Sequence, residues 1–457
     1  MLEHQSDCHA AETSHLDTVI SRRTLIKHGA ATAAAVAGSA ALVAPAAASA
    51  AAHTTREAPF NIVGRAQVTL NLAMWSSVPL TTIPILIKNF EASHPNIKVN
   101  TTVIPGSSWA AFFEGVLTRI AGGNSPDSAY VAIEGIALFG AKGLALPLND
   151  FMKKDADYIA ELRHDTVPVM FDVLSYKGAQ IALPFDWNNM MVWYNTNLFG
   201  QLGLAPPQAG WTGDDFLAMC AKLKKNGVFG TSLWASGLFG LEAWSLAAGA
   251  NLLSSDWSRS NALAKGNVEA WEFMHDLVFK HRYAQRPGSI PDTNLFEARR
   301  IGTFLAGRWP LFQLKANKFL YGDVTPFPSL NGAQRKTIIG IGGYPIFKQS
   351  KNPEAAWELS KFMSGPVAQY EWSSRGTNIP ARRSLAYANW MNPPAHYKEF
   401  YDSLGSNAVA VTAPPQYNEV DASVTRWYSQ MMTGQVAPRT ALQGLDKDLT
   451  AILKKPV

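Results

Sequence analysis

The chain of 457 residues contains few cysteines and few charged residues, and both features exclude classes of function. Its two cysteines, Cys8 and Cys220, cannot form a disulfide scaffold, and neither lies in a CxxC motif or a His/Cys cluster with zinc spacing. Only 16% of the residues are charged, and no block of five like charges occurs, although the formal net charge is +5. The composition therefore predicts no metal site and no nucleic-acid partner.

The sequence motifs of common catalytic sites are also missing. The chain contains no GxSxG, no HExxH, no GxxxxGK[ST] and no GxGxxG followed by a helix. The histidines beyond residue 50 are scattered singly, so no Ser/His/Asp order suggests a catalytic triad. The sequence therefore predicts a protein that is not an enzyme, has no catalytic residues and needs no cofactor.

The N-terminal fifty residues resemble an export signal. Residues 21–27 read SRRTLIK, and the Ala-rich run that follows ends at residues 48–50 with the small-residue pattern of a cleavage site. Gly38 and Pro45 interrupt this run, which is less apolar than a membrane span. We expect export by the twin-arginine route, cleavage after Ala50, and a soluble periplasmic protein.

Beyond residue 59 the pattern alternates between strand and helix. Apolar runs such as VTLNLAMW (68–75) are followed by segments with helical spacing such as IPILIKNFEASHP (83–95). Such alternation predicts an α/β fold with a mostly parallel sheet and helices on both faces. Ligands bind beyond the carboxyl ends of the strands in these sheets, which singles out Trp75, the PGSSW loop (105–109) and Glu134.

A set of segments in a fixed order carries a resemblance to a known family. The segments are FEASHPNIKV, AGGNSPDSAYV, GLALPLNDFM, IALPFDWNNMMVWYNTNLF, WTGDDFLAMCAKL, GTFLAGRWPLF, IGGYPIFKQSKNPEAAWELSKFM and RGTNIPARRS. Together they resemble the extracellular solute-binding proteins, family 1, of ABC sugar importers, which are similar to maltose-binding protein. The resemblance covers residues 65–445.

This resemblance implies two α/β lobes, each a mixed sheet flanked by helices, with the ligand in the cleft between them. The implied crossing segments of the hinge lie near residues 186–192, 340–344 and 378–381. The N-terminal lobe is then residues 59–186 and 343–378, and the C-terminal lobe is residues 190–340 and 381–457. The resemblance also implies a monomer that binds a sugar and delivers it to membrane permease subunits.

Aromatic rings and polar side chains at the ends of elements are the candidate ligand-binding residues. A sugar presents an apolar C–H face that stacks on aromatic rings, while its hydroxyls need carboxylates, amides or Arg around the rim. By position or by resemblance, the candidates are Trp75, Ser108, Trp109, Glu134, Asp186, Trp244, Trp309, Tyr344 and Arg375. For each the alternative is a structural role: a core ring, a helix cap or an ion pair.

Two other functions remain open at this level. Ser76 and Ser77 lie ahead of Pro79, and Ser107 and Ser108 precede a helix. Backbone N–H groups there could hold the phosphate of a glycerol phosphate or a glycerophosphodiester. The alternative for these serines is N-capping alone, and their loops gather almost no Lys or Arg. Glu134 and Asp186 could also be the acid pair of a secreted carbohydrate-active enzyme, but the sequence does not supply the distance that this chemistry needs.

Overall fold

The computed structural model describes residues 67–208, 210–288, 290–333, 336–404 and 408–457. The predicted export signal and its cleavage site lie outside these residues. No helix in the described part of the chain is both long and apolar enough to cross a membrane. The described residues form one compact unit.

Thirteen strands and eighteen α-helices make up the described residues. The strands are β1 Val68–Trp75, β2 Ile97–Ile104, β3 Ser128–Ala129, β4 Val131–Ala132, β5 Ser175–Tyr176, β6 Ala179–Gln180, β7 Pro184–Asn189, β8 Met191–Asn195, β9 Thr303–Ala306, β10 Gly322–Pro326, β11 Thr337–Gly343, β12 Ile379–Pro380 and β13 Ala408–Ala410.

The helices connect these strands and cover their faces. They are α1 Ile83–Ser93, α2 Trp109–Ala121, α3 Ile136–Ala141, α4 Asn149–Lys154, α5 Ala156–His164, α6 Val169–Asp172, α7 Thr196–Gln201, α8 Gly213–Lys225, α9 Leu238–Ala247, α10 Lys265–Phe279, α11 Asp292–Glu297, α12 Pro310–Ala316, α13 Pro353–Ser364, α14 Pro366–Ser373, α15 Arg383–Ala386, α16 Lys398–Asp402, α17 Tyr417–Met432 and α18 Pro438–Ile452.

Three larger sheets and one two-stranded antiparallel sheet, β5-β6, contain the described strands. Sheet 1 has the order β2-β1-β3 and is parallel throughout. Sheet 2 has the order β12-β7-β11-β13, with β4 also paired to β11, and it mixes parallel and antiparallel pairs. Sheet 3 has the order β10-β8-β9 and is antiparallel throughout. The prediction of mixed sheets is confirmed, but the expectation of a mostly parallel sheet holds only for sheet 1.

The antiparallel pairs arise where the chain passes between sheets. Strands β7 and β8 are separated by Met190 alone, so one extended segment leaves sheet 2 and enters sheet 3. Strand β11 pairs with β13 over residues 337–339 and with β4 over residues 342–343. Two consecutive strands can pair in parallel only if a crossover, usually a helix, connects them. A strand that runs straight on from one sheet to the next has no such crossover. The predicted lobe boundaries near these residues stay a prediction.

Helix starts follow the local sequence. Thr212 and Asp215 form a capping box at α8, in which each side chain bonds the other's backbone N–H. Ser108 caps α2 by accepting a hydrogen bond from the backbone N–H of Ala111 at 3.2 Å. This cap fixes the entry of α2 beside the carboxyl end of β1.

Candidate functional site

The carboxyl ends of β1 and β4, the crossing strands β7 and β11, and strand β9 surround one cavity. Its volume is about 570 Å³, within the usual range of roughly 300 to 1,000 Å³ for small-molecule sites. Its wall carries ten aromatic residues: Trp75, Trp109, Tyr130, Trp234, Phe239, Phe304, Trp309, Phe312, Trp372 and Tyr417. Apolar rings with interspersed polar groups are the wall that a sugar needs.

Six of the nine predicted site residues lie on the wall of this cavity. They are Trp75, Ser108, Trp109, Glu134, Asp186 and Trp309. These residues come from positions spread over more than 200 residues of sequence, and the strand ends bring them together. Their contact with a ligand stays a prediction.

Two tryptophans form a pair on the side of sheet 1. The rings of Trp75 and Trp109 have centroids 4.5 Å apart and planes inclined by 47°. The indole N–H of Trp75 donates to the carbonyl of Gly106 at 2.8 Å, which fixes the ring at the end of β1. Both tryptophans line the cavity, and Trp109 is the first residue of α2.

A second aromatic group faces the cavity from the side of sheet 3. Trp309 precedes α12 and is half-buried, with its ring centroid 6.0 Å from that of Trp234 and 6.3 Å from that of Phe239. The indole N–H of Trp234 donates to the carbonyl of Leu305 at 2.8 Å. Because the two aromatic groups come from different sheets, they can contact one ligand from two sides.

Asp186 lies on β7 with both carboxylate oxygens held. Its oxygens accept from the hydroxyl of Tyr130 at 2.9 and 3.0 Å, the indole N–H of Trp372 at 2.7 Å and the amide of Asn378 at 2.6 Å. A Cβ atom at Gly342 would lie 2.5 Å from Asp186 Oδ1, so glycine is required there. Burial raises the pKa of Asp186 to about 7, although these hydrogen bonds act to lower it.

Glu134 has a different environment at the end of the short strand β4. Its side chain is buried, and its Oε2 atom has no hydrogen-bond partner. Burial raises the pKa of Glu134 to about 7, and the nearby carboxylate of Asp421 adds to the rise. Asp421, on α17, accepts from the backbone N–H of Leu238 at 3.0 Å. No group of three or more His, Cys, Asp or Glu in the described residues is arranged to hold a metal ion.

Arg308, immediately before Trp309, is fully buried and has no carboxylate partner within ion-pair distance in the described structure. Its guanidinium donates to the carbonyls of Ser373, Thr377, Asn378 and Met391 at 2.7 to 3.4 Å. Burial lowers its pKa to about 9. Arg308 thus connects the end of β9 to the segment that carries Asn378.

Comparison with known proteins identifies the family. Residues 75–370, more than half of the chain, match the family described as bacterial extracellular solute-binding protein. The chain belongs to this family. A binding protein of Brucella abortus (strain 2308) is 24% identical over 389 residues, which are 80% of this chain and 89% of that protein.

Two further relatives have named ligands. The mannitol-binding protein of Pseudomonas aeruginosa is 32% identical over 158 residues, 33% of this chain and 33% of that protein. A substrate-binding protein of Listeria monocytogenes, solved in complex with cycloalternan, superimposes with a TM-score of 0.77 and 23% identity. The match covers 84% of this chain and 98% of the Listeria protein. At this identity it shows the fold, which is the predicted two-lobe α/β fold.

Three predicted site residues of this solute-binding protein lie elsewhere. Trp244, on α9, is 1% exposed and packs among phenylalanines, with the ring of Phe327 centred 5.2 Å away. Tyr344 is also 1% exposed and packs against Phe185 behind β11. Both expectations are corrected, because apolar neighbours surround these rings and separate them from the cavity.

Arg375 is the third correction. Its guanidinium lies 3.4 Å from Glu371, one helical turn earlier, so it forms the ion pair that was the alternative for this residue. It lines a neighbouring pocket with Lys315 and not the cavity itself. Phe312 contributes to both walls.

Several cavity residues of this solute-binding protein escaped the sequence analysis. Trp372 lies within α14, and Tyr130 lies between β3 and β4 in an apolar segment; aromatic residues in such places ordinarily pack in the core. Asp421 did leave a signal, because Tyr417, Asp421, Val424 and Tyr428 share one face of α17. An acid on an otherwise apolar helical face indicates a buried polar role.

Proposed function

We propose that this solute-binding protein captures a carbohydrate or sugar alcohol in the cavity and delivers it to the permease of an ABC importer. The observation that carries the proposal is the wall itself: aromatic rings on two sides, with carboxylates and amides between them. Asp186 and Asn378 supply polar contacts for hydroxyls, and Trp75 and Trp309 supply rings for C–H faces. The ligands named for the Pseudomonas and Listeria relatives support this class.

The charge of the wall disfavours a phosphate ester. Four acids line the cavity, and among its described lining residues there is no Lys, Arg or His. The N-terminus of α2 is not free for an anion either, because Ser108 already accepts the N–H of Ala111. A phosphate in this cavity would be repelled by the carboxylates without a cation to offset them.

The protein binds its ligand without converting it in this proposal. It acts as a periplasmic monomer after twin-arginine export, and the lobes close on the ligand by hinge motion. The membership of an extracellular solute-binding family supports both the export and the binding role.

A thermal-shift screen of the exported protein tests the proposed function. Neutral sugars, sugar alcohols and glycerol phosphates are compared, since a ligand at a hundred times its Kd stabilises the native state by about 2.7 kcal/mol. We expect melting temperatures to rise with a sugar or sugar alcohol. A rise with glycerol phosphate alone, or steady turnover of a bound sugar, would contradict the proposal.

A further inference from the structure

The cavity wall is acidic, because it carries four carboxyl groups and no described basic side chain. The four acids are Glu134, Asp186, Asp292 and Asp421. Buried carboxylates in proteins are ordinarily paired with cations or saturated with hydrogen-bond donors. The question for each acid is therefore how its oxygens are satisfied.

Two of the acids have internal partners. Asp186 accepts from three side chains, as described above. Asp421 accepts from the backbone N–H of Leu238 at 3.0 Å. Asp292 is only half-buried, so water can reach its carboxylate. Hydrogen bonds or water thus satisfy these three carboxyls.

Glu134 is the exception. Its side chain is 97% buried, its Oε2 atom has no partner, and the charged group that acts on it most strongly is the like-charged Asp421. Glu134 and Asp421 both line the cavity, and no described protein group donates a hydrogen bond to the Oε2 atom of Glu134. A ligand that enters the cavity can supply it.

The elements around Glu134 bring no compensating cation. Strands β4 and β11 and helix α3 carry no charged side chain, and on α2 both Glu114 and Arg119 are exposed. On α17 the charged residues other than Asp421 are exposed and paired, Glu419 with Lys455 and Arg426 with Asp448. On α9, Glu242 is buried and accepts from Thr412. Tyr417, beside Asp421, is neutral.

We propose that the cavity takes a polyhydroxylated ligand that carries a protonated amine, an amino sugar or amino sugar alcohol, with its ammonium group between Glu134 and Asp421. The inference rests on the proposed function and narrows its ligand class. An ammonium group brings the positive charge and the N–H donors that both carboxylates accept, and hydrogen bonds between ions are roughly twice as strong as neutral ones. The surrounding indole rings also attract a cation.

Matched pairs of compounds isolate the ammonium group. D-glucamine and D-glucitol are such a pair, because they differ by an amine in place of one hydroxyl. The alkylamine of glucamine, like that of lysine, stays protonated to about pH 10. Calorimetric titration of the exported protein near pH 8 should show the amine of a pair binding at least about tenfold more tightly.

Proton competition gives the preference a pH dependence. Glu134 holds a proton at low pH, and this proton must leave before an ammonium group can bind in its place. The preference for the amine over the neutral compound should therefore shrink as the pH falls toward about 5.5. Glu134→Gln keeps the shape of the side chain, removes its charge and should abolish most of the preference. Asp421→Asn should reduce it as well. Glu114→Gln, on the exposed face of α2, should leave it unchanged.

The outcomes separate this inference from the proposed function. Neutral sugars that bind as tightly as, or more tightly than, their amines near pH 8 overturn the inference and leave the proposed function standing. A preference that survives in both Glu134→Gln and Asp421→Asn overturns the placement of the ammonium group. If no sugar, sugar alcohol or amino derivative binds, both the inference and the proposed function are wrong.

Discussion

Replacement of Asp186 by asparagine should flatten the pH dependence of the stability of the unliganded protein. Burial raises the pKa of this carboxyl from an ordinary 3.8 to about 7, so the folded state holds a proton that the unfolded chain has already lost. The free energy of unfolding therefore falls as the pH rises from about 4 to about 7, and it is level above that range.

The size of the effect follows from the shift. About three pKa units correspond to roughly 4 kcal/mol over the whole range, of which about 2 to 3 kcal/mol falls between pH 5 and pH 8. Asparagine can retain most of the contacts: its oxygen can accept from Trp372 and Asn378, and its NH₂ can donate to the hydroxyl oxygen of Tyr130.

Urea unfolding of wild type and Asp186→Asn at about pH 5 and pH 8 measures this difference directly. Glu134 and Asp292 also have raised pKa values, so the comparison between the two proteins, and not the wild-type slope alone, isolates Asp186. Asp186→Leu is the control, since it leaves all three donors unsatisfied and should destabilise at both pH values. Equal pH slopes in wild type and Asp186→Asn would refute the reasoning.

Three other predictions concern ligand binding, folding and export. Trp309→Ala should weaken ligand binding at least about tenfold in calorimetry with little change in the melting temperature, because the ring faces the cavity; Trp390→Ala, a half-buried indole outside the cavity, should leave affinity unchanged. Arg308→Met should lower the free energy of unfolding by about 2 to 4 kcal/mol because four carbonyls lose their donor, with partial rescue in Arg308→Lys. Conversion of both Arg22 and Arg23 to Lys should abolish periplasmic accumulation in fractionated cells, and wild-type levels there would contradict the twin-arginine route.

Many helices and strands can be predicted from the sequence because local patterns determine them. Strand β1 was predicted over residues 68–75, where the structure has it, and the Thr212 cap and the parallel sheet 1 follow from local sequence. The antiparallel order of sheet 3 could not be predicted, because it depends on β8 continuing β7 into another sheet. Pairing between distant strands leaves no periodic signal along the chain.

The cavity was predicted in part, and the errors have a physical pattern. Residues at strand ends and helix starts, such as Trp75 and Ser108, lie on the wall, and their contact with a ligand stays a prediction. Trp244 was misplaced because a tryptophan within a helix has the same sequence signature in either role, and only its neighbours distinguish them. Tyr130 and Trp372 were missed for the same reason: partners such as Asp186 are distant in sequence.

The register irregularity at Gly342 and Gly343 has a mechanical consequence. A paired strand resists bending, but a bulge bends readily, and residues without side chains add no steric resistance. Any bending of sheet 2 therefore concentrates at this point, where Asp186 lies opposite Gly342. We therefore expect a ligand that engages Asp186 to hold β7 and β11 together at this bulge and to restrict bending there.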